Sequence, residues 1–412
     1  MTPDIMEKAL LNQQYYPKSY RREDVKQITE HLAKFQPLTI VGLPRIGLAR
    51  TLRFLLVHPE FLERKLKTKK VLLIEIDIND LFELKETSFW QLVLKRIADN
   101  SKNEVINNFY LAAVKTNDAF TFFDNTKLAV SYLCSSGYFI FLFFNRFDRL
   151  LSLYSNLFFC HLQSLKDVAK PKINFLFTSN RPLEYLYPNV FKGGNLEVFS
   201  QKYFLKPVSQ TGLLPIINKF ERSRKINLNP KIKEIVFKYS GGHAQYVLLI
   251  LQIIEKNNFS LKNIETILNN DFSLIQQGKE LWDYLNLEEK SLVVTQKKIP
   301  PNHFLSEIGL IKSDGKLFNP LFEKFVKTQI NIENQSKKDL TKKEKSLLSI
   351  LVSKKGGLVT REEIITFVWQ EKAEDVNDWT LDQLVKRLRK DLALLKLNYQ
   401  IITLKNQGYK LM

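Results

Sequence analysis

The chain has 412 residues, of which 44% are hydrophobic and 12% aromatic, and its 62 Lys and Arg outnumber its 43 Asp and Glu to give a formal net charge of +19. This composition excludes a disordered chain, and the length predicts two to four domains. The positive charge favours a polyanionic partner, usually nucleic acid, while a generally lysine-rich composition without any specific site is the alternative explanation.

The sequence predicts a cytoplasmic protein without a metal site. It shows no signal peptide and no uncharged apolar run of about eighteen residues, so we expect no membrane association. The two cysteines, Cys134 and Cys160, lack the spacing of metal ligands and are expected to be buried and reduced. The five histidines do not cluster along the chain.

Residues 1–202 alternate strand-like and helix-like segments, which predicts an α/β domain with a parallel sheet. The central strand, Tyr138–Phe144, is a continuous apolar run, as expected for a strand that is buried on both faces. The predicted strands are Leu38–Val41, Val71–Ile78, Tyr138–Phe144, Ile173–Thr178 and Leu196–Phe199.

The first strand leads into Gly42-Leu-Pro-Arg-Ile-Gly47, which has the glycine spacing of a phosphate-binding P-loop, Gly-x4-Gly-Lys-Ser/Thr. Leu48 stands where a lysine would reach the β- and γ-phosphates, and Ala49 stands where a hydroxyl would bind magnesium. The glycines that shape such a loop are therefore present, while its two chemically active side chains are absent. A tight strand–helix turn with no connection to nucleotides is the alternative interpretation.

The central strand ends in Asn145-Arg-Phe-Asp-Arg-Leu150. This segment resembles the Walker B strand end of AAA+ and STAND-type ATPases, which commonly read Asp-Glu-Phe-Asp-Arg-Leu. The resemblance implies that Asn145 replaces the metal-binding Asp and that Arg146 replaces the Glu that polarises the attacking water. Arginine stays protonated in proteins and cannot act as a general base. Four substitutions at matching positions of two motifs predict a pseudo-ATPase, with no catalytic residue and no metal.

Two further segments resemble parts of STAND and origin-recognition-like ATPases. Tyr20-Arg-Arg-Glu23 resembles the box that precedes their P-loop, and Phe177-Thr-Ser-Asn180 resembles their sensor-1 strand, where a polar side chain faces the γ-phosphate. The second resemblance implies that Thr178 or Asn180 could contact a phosphate. A simple strand-terminating turn is an equally good interpretation.

Residues 203–258 are predicted to be wholly helical and resemble the lid of these ATPases, whose last helix often opens with Gly-Gly-His-Pro. Here the segment reads Gly241-Gly-His243-Ala244, and His243 could approach a bound base or, somewhat more favourably, cap the helix. No cofactor is expected; the alternative is ATP or ADP bound without magnesium chemistry, through backbone amides and basic side chains such as Arg50. The predicted degenerate nucleotide site comprises Gly42, Arg45, Gly47, Leu48, Ala49, Asn145, Arg146, Thr178, Asn180 and His243.

Residues 259–330 are predicted to form a winged-helix-like domain, because Asp314-Gly315 separates two apolar runs in the manner of a β-hairpin. The segment resembles the winged-helix module that follows the lid in these ATPases. Residues 331–339 are polar and without periodicity, and are predicted to be a linker.

Residues 340–412 contain Val-Trp369, then Arg387-Leu-Arg-Lys390, then a terminal Gly408-Tyr-Lys-Leu411. Over its whole length this segment resembles the winged helix-turn-helix output domain of OmpR/PhoB-type response regulators. The predicted helix Thr380–Leu395 has an apolar stripe on one face and a basic, amide-bearing face on the other. Such a helix suits a major groove, where Lys and Arg reach guanine or phosphate and Gln pairs with adenine.

The resemblance also predicts a wing at the end of the chain, in which Lys405 matches the family position that reaches the minor groove. Trp379 stands where the family usually has Arg, and Asn406-Gln407 replaces a Gly-Val pair, so base preference is expected to differ. A solvated basic face on a protein-binding winged helix is the alternative. The predicted DNA-binding residues are Thr380, Gln383, Lys386, Arg387, Lys390, Lys405, Asn406 and Gln407.

Together these features predict a multidomain α/β protein with five segments: a degenerate ATPase-like domain (1–202), a lid (203–258), a winged-helix-like domain (259–330), a linker (331–339) and a DNA-binding winged helix (340–412). The expected function is that of a transcriptional regulator that binds double-stranded DNA as a homo-oligomer, a dimer or larger, because OmpR/PhoB-type modules generally bind repeated half-sites in pairs. The alternatives are a nucleotide-gated STAND-type switch and an assembly or defence-type scaffold whose winged helices make protein contacts.

Overall fold

The computed structural model describes residues 16–188, 201–296, 298–354, 356–394, 399–405 and 407–412. The chain divides into two compact units, Met1–Glu323 and Lys324–Met412. In the described part of the chain, no helix is both long enough and apolar enough to cross a membrane.

The first unit is built on a five-stranded parallel sheet whose strands are β1 (Leu38–Gly42), β2 (Val71–Asp77), β3 (Phe139–Asn145), β4 (Ile173–Ser179) and β5 (Lys202–Leu205). Their order across the sheet is β2-β3-β4-β1-β5. Asp77 lies opposite Asn145 in register, and Ile40 lies opposite Thr178, so the carboxyl ends of the strands meet at one edge. The prediction of a parallel α/β domain is confirmed.

Four predicted strands are confirmed to within two residues, and the fifth, Leu196–Phe199, lies outside the described residues. The prediction that 203–258 are wholly helical is wrong at its start, because β5 runs through Leu205 and pairs with β1. Tyr203 and Phe204 are aromatic residues that suit a strand. Their pairing with an exposed sheet edge, which no local pattern reveals, decides their conformation.

Helices connect the strands of the first unit. The helix before the sheet and those between its strands are α1 (Arg22–Ala33), α2 (Leu48–Val57), α3 (Glu60–Leu66), α4 (Glu86–Ser101), α5 (Glu104–Thr116), α6 (Ala119–Ser135), α7 (Asn156–Asp167) and α8 (Leu183–Leu186). After β5 the chain continues through α9 (Gln210–Arg224), α10 (Pro230–Ser240), α11 (Ala244–Lys256), α12 (Ile264–Asn270), α13 (Phe272–Tyr284), α14 (Leu287–Thr295) and α15 (Phe304–Glu307).

Aromatic packing fixes the carboxyl end of β3. Phe144 stacks on Phe89 and Phe177, with ring centroids 5.9 Å and 5.3 Å apart, and Phe147 lies 4.5 Å from Phe177. Each such pair contributes about 1 kcal/mol beyond the burial of its area. Asn145 and Arg146 are therefore flanked in the sequence by two buried aromatic residues, Phe144 and Phe147, whose packing fixes the turn.

The predicted hairpin at Asp314-Gly315 is present as a single antiparallel bridge between Ile311 and Leu317. Residues 331–339, predicted to be a linker, lie within the helix α16 (Pro320–Asp339). The segment holds neither Gly nor Pro, so nothing in its sequence stops a helix that has already been started.

The second unit is a small α/β domain with its own hydrophobic core. Its further elements are α17 (Lys342–Ser353), β6 (Leu358–Thr360), α18 (Arg361–Trp369), α19 (Asp378–Leu394), β7 (Ile401–Leu404) and β8 (Gly408–Leu411). The strands form an antiparallel sheet in the order β6-β8-β7. A Cβ at Gly408 would lie 2.1 Å from the carbonyl oxygen of Val359, so only glycine allows this pairing.

Candidate functional sites

The loop between β1 and α2 is a tight turn that depends on both of its glycines. A Cβ at Gly42 would lie 2.8 Å from Cγ2 of Ile46 and 3.1 Å from the carbonyl oxygen of Leu205. Gly47 precedes α2 with a φ of 108°, a conformation that favours glycine. The turn is therefore tight, and it leads into the N-terminus of a helix, where backbone N–H groups attract anions.

Two buried side chains hold the carbonyl groups of this loop. Arg21, only 5% exposed, donates to the carbonyl oxygen of Ile46 at 3.2 Å. Nε2 of His243, which is fully buried, lies 3.0 Å from the carbonyl oxygen of Pro44. Arg21 and His243 both lie outside the loop. Their hydrogen bonds to its carbonyl groups therefore fix the loop from segments that are remote from it in sequence.

The expectation that His243 caps α11 is wrong, because its side chain makes no capping hydrogen bond. Instead of capping the helix, the imidazole forms the hydrogen bond to the carbonyl oxygen of Pro44. Burial lowers the pKa of His243 to about 4, so the imidazole is neutral at pH 7 and donates through Nε2. Its other nitrogen, Nδ1, is buried and has no hydrogen-bond partner among the described residues.

Asn145 and Arg146 form a closed network with the neighbouring strands. The amide nitrogen of Asn145 donates to Glu75 at 3.1 Å and to Asp77 at 3.2 Å, and its oxygen accepts from the Thr178 hydroxyl at 3.0 Å. The backbone N–H of Arg146 donates to that hydroxyl at 2.8 Å, and its guanidinium pairs with Asp77. An aspartate at position 145 would bring a third carboxylate against Glu75 and Asp77, and the amide avoids this repulsion.

Asn180 and Arg45 link the edge of the sheet to α13. Asn180 donates through its backbone and its side chain to Asp148, at 3.1 Å and 3.2 Å, and its carbonyl oxygen accepts from the Tyr284 hydroxyl at 2.6 Å. Nε of Arg45 lies 2.5 Å from a carboxylate oxygen of Glu280. Burial raises the pKa of Asp148, although its hydrogen bonds to Asn180 oppose this shift.

A cavity of about 800 Å³ lies over this edge, and eight of the ten predicted nucleotide-site residues line it, all except Gly42 and His243. Sequence reasoning missed Arg53 and Lys219, which also line the cavity. Arg53 lies one helical turn beyond Arg50 on α2, a spacing that could have been noticed. Lys219 lies on α9, and no local pattern connects it with the loop.

The two loop positions beside the cavity offer no side-chain ligand to a magnesium ion. Mg²⁺ requires oxygen ligands, and Leu48 and Ala49 offer none through their side chains. The carboxylate of Asp77, which lies beside the end of β3, is engaged by Arg146 and Asn145. Within the described residues, no group of three His, Cys, Asp or Glu side chains is placed to hold a metal ion. Of the two cysteines, Cys134 is buried as expected, but the expectation is wrong for Cys160, which is exposed.

The recognition-helix candidate α19 divides into two faces. Leu381, Leu384, Val385, Leu388 and Leu392 are buried in the core of the second unit. Lys386, Arg387 and Lys390 are exposed, and Gln383 is half-buried. These four polar side chains make no hydrogen bond or ion pair within the described part of the chain. They are therefore available to a partner, and they lie on one helical face because the apolar stripe fixes the rotation of the helix.

Other polar groups of α19 are engaged inside the second unit. The Thr380 hydroxyl donates to Asn377 at 2.8 Å, so its proton is used in a hydrogen bond at the start of α19. Arg361 pairs with Asp378 and Asp382, at 3.2 Å and 2.9 Å, and neutralises the acidic first turn. Arg389 donates to the carbonyl oxygen of Ile401 and ties α19 to β7. Sequence reasoning had not assigned these roles to the two arginines.

The predicted wing is confirmed as the antiparallel pair β7–β8. Lys405 and Gln407 are exposed in the turn that joins the two strands. Asn406, the third predicted residue of the wing, lies outside the described residues. Trp379, at the second residue of α19, is 68% exposed.

Comparisons with known proteins identify the second unit. Residues 335–411 match the family model of the C-terminal domain of transcriptional regulatory proteins. The C-terminal domain is a winged helix-turn-helix of the OmpR/PhoB type. The response regulator protein GraR of Staphylococcus aureus is 41% identical over 70 residues, which are 17% of this chain and 31% of GraR. The chain thus matches less than a third of the length of this relative.

The first unit has the fold of P-loop ATPases. The Walker-type ATPase paby2304 of Pyrococcus abyssi superposes with a TM-score of 0.53 and 12% identity, over 76% of this chain and 96% of that protein. The ADP form of the Aeropyrum pernix ORC2 protein has a TM-score of 0.45 and 13% identity, over 77% of this chain and 94% of that one. At such identities the likeness concerns the fold alone, and the assignment rests on the first of the two structures.

Proposed function

We propose that this protein is a DNA-binding transcriptional regulator in which α19 reads double-stranded DNA and the first unit is a pseudo-ATPase that serves as scaffold or sensor. The observation that carries the proposal is the exposed face of Gln383, Lys386, Arg387 and Lys390, which has no partner within the described chain. Polar side chains on a folded surface are often merely solvated. Here they lie on the helix that OmpR/PhoB-type modules use for reading DNA, which favours a nucleic-acid partner.

The chemistry of this face suits the major groove. Lys and Arg can donate to guanine O6 and N7 or to phosphates, and the amide of Gln383 can pair with adenine. Lys405, in the wing, would contact the backbone or the minor groove beside it. The Thr380 hydroxyl donates to Asn377, so we expect it to contact a phosphate only if it gives up that hydrogen bond and donates to the phosphate instead. Residues 339–412 hold 14 Lys and Arg against 10 Asp and Glu, so the position of the cations matters more than their number.

The proposed loss of ATPase chemistry rests on the side chains at four positions. Leu48 and Ala49 provide neither a cation nor a hydroxyl to a bound phosphate, and Arg146 cannot accept a proton from water. Asn145 is fully committed to Glu75, Asp77 and Thr178. We further propose that the protein acts on DNA as a homo-oligomer, a dimer or larger.

The DNA proposal is tested by selecting random duplex DNA with the full chain at near-physiological salt. We expect enrichment of a defined motif with two repeated half-sites. Salt-sensitive binding without any enriched motif would contradict sequence-specific reading, because charge alone would then explain the binding. That result would favour the alternative of an assembly scaffold.

The pseudo-ATPase proposal is tested by measuring ATP hydrolysis with magnesium, beside a Gly47→Asp variant in which a carboxylate and a Cβ occupy the loop. We expect no turnover by either protein. Turnover that is present in the unmodified chain and absent from Gly47→Asp would show that the loop still works, and it would overturn the proposal.

A further inference from the structure

Trp379 presents a large apolar side chain to solvent at the start of α19. The residue is 68% exposed, and within the described part of the chain its indole N–H has no hydrogen-bond partner. An isolated apolar residue on a protein surface needs no explanation by itself. The case for a role of Trp379 therefore rests on its position and on the groups around it.

Trp379 lies on the same face of α19 as side chains that are proposed to read DNA. The row on this face consists of Trp379, Gln383, Lys386 and Lys390. Its successive members are four, three and four residues apart. Because each residue turns a helix by about 100°, this spacing keeps the row within a stripe about 60° wide. The buried leucines of α19 lie on the opposite side of the helix, so the indole points away from the core.

The first turn of α19 is anchored to two other elements of the second unit. Arg361, on α18, lies 3.2 Å from Asp378 and 2.9 Å from Asp382. Asp382 also accepts a hydrogen bond from the hydroxyl of Tyr409, on β8. These contacts hold the backbone that carries Trp379, and a contact with one particular base requires such a fixed position.

The charges beside Trp379 favour a base edge over a phosphate as its partner. The exposed carboxylates of Asp378 and Asp382 flank the indole, and Arg361 is the one cation that pairs with both. Carboxylates repel phosphate oxygens, whereas an uncharged base edge is not repelled. In the major groove the apolar group on a base edge is the C5-methyl of thymine, which aromatic side chains contact. The N-terminal residues of a recognition helix are those that reach the base edges.

We propose that Trp379 determines base specificity by contacting the C5-methyl group of a thymine in each half-site that α19 binds. The inference rests on the proposed reading of DNA by α19, and it assigns a base that the polar side chains of the row do not select. An arginine at this position would select guanine through O6 and N7. The indole has a single donor and cannot form that paired contact, so it selects the methyl group instead.

The test replaces each thymine of the duplex selected by the full chain with deoxyuridine, one at a time, which removes only the methyl group. We expect one thymine in each half-site whose replacement weakens binding about fourfold, the effect of burying one methyl group. A selected motif without thymine, or one in which every replacement leaves affinity unchanged, would overturn this inference and leave sequence-specific binding intact. Absence of any selected motif would refute the proposed function, and this inference with it.

Variants of Trp379 connect the effect of the methyl group with the indole. Trp379→Ala should bind the thymine duplex and the deoxyuridine duplex equally well, whereas Trp379→Phe keeps an apolar ring and should retain the preference for thymine. The control, Phe367→Ala, removes a ring that is 49% exposed on α18 and should retain the full preference. A preference that survives Trp379→Ala would contradict the contact. Because the ratio of two affinities does not depend on the fraction of folded protein, a merely structural role cannot produce the expected result.

A substitution by arginine tests the assignment in the opposite direction. Selection of random duplex DNA by Trp379→Arg should replace the methyl-sensitive T·A pair by a pair that contains guanine, with the rest of the motif retained. An unchanged motif would contradict the assignment. If the indole contacts another protein molecule instead, Trp379→Ala should weaken self-association and leave the ratio of the two affinities unchanged, which would also overturn the inference.

Discussion

The cavity of the first unit and the exposed face of α19 are both rich in polar side chains, but those side chains are used differently. At the end of β3, Asn145 and Arg146 form hydrogen bonds to Thr178 on β4 and to the Asp77 carboxylate on β2. On α19, Lys386 and Lys390 are exposed and have no partner within the described chain. Substitutions in the first region should therefore change stability, and substitutions in the second should change binding.

The largest effect is expected from Asn145→Ala. The change removes three hydrogen bonds and leaves Glu75, Asp77 and Thr178 without this partner, so the free energy of unfolding of the first unit should fall by about 4 kcal/mol. Urea unfolding measures the loss, with Lys386→Ala as the control that should change stability by less than about 0.5 kcal/mol. Equal stability of the two variants would contradict the proposed difference between the end of β3 and the exposed face of α19.

Acidification should weaken the first unit through His243. Its pKa is about 4 in the folded protein and near 6.5 when unfolded, so the unfolded chain binds the proton first as the pH falls. The stability is fully present above about pH 6.5 and is lost as the pH falls towards 4, by roughly 3 kcal/mol. His243→Gln keeps an N–H donor but cannot titrate. Unfolding measured at pH 7 and pH 4 should show a smaller loss in this variant, and an identical loss in both proteins would refute the assignment.

Arg389 and Lys390 offer the same contrast within one helix. Arg389 donates to β7, so Arg389→Ala should destabilise the second unit by about 1 kcal/mol. Lys390→Ala should leave stability unchanged and weaken binding to the selected DNA. Unfolding and DNA titrations of both variants test this pair. If Lys390→Ala is the destabilising change, the assignment of the two faces of α19 is wrong.

The smallest effect is expected in the wing. Lys405→Ala removes one exposed cation from the turn between β7 and β8. If Lys405 contacts a phosphate, the slope of log affinity against log salt should decrease in magnitude by about 1. DNA titrations at several salt concentrations measure this slope, and an unchanged slope would remove Lys405 from the interface.

The sequence was most informative where structure follows from local patterns. Continuous apolar runs predicted the buried strands, and the glycines at 42 and 47 predicted the turn into α2. The predictions failed where long-range contacts decide the structure: Tyr203 joins a strand because β1 offers an edge, and His243 bonds to Pro44, 199 positions away, instead of capping its helix. Lys219 reaches the cavity from α9, and no spacing along the chain predicts that meeting.

The central claim is that α19 reads DNA, and the most direct test compares two double variants of the full chain on the selected duplex over a range of salt. Lys386→Ala with Lys390→Ala removes two charges from the exposed face, and Lys342→Ala with Lys345→Ala removes two from α17. We predict that the first variant binds about a hundredfold more weakly, with a salt slope smaller by about 2, and that the second binds like the unmodified chain. Equal binding by both variants would contradict the claim.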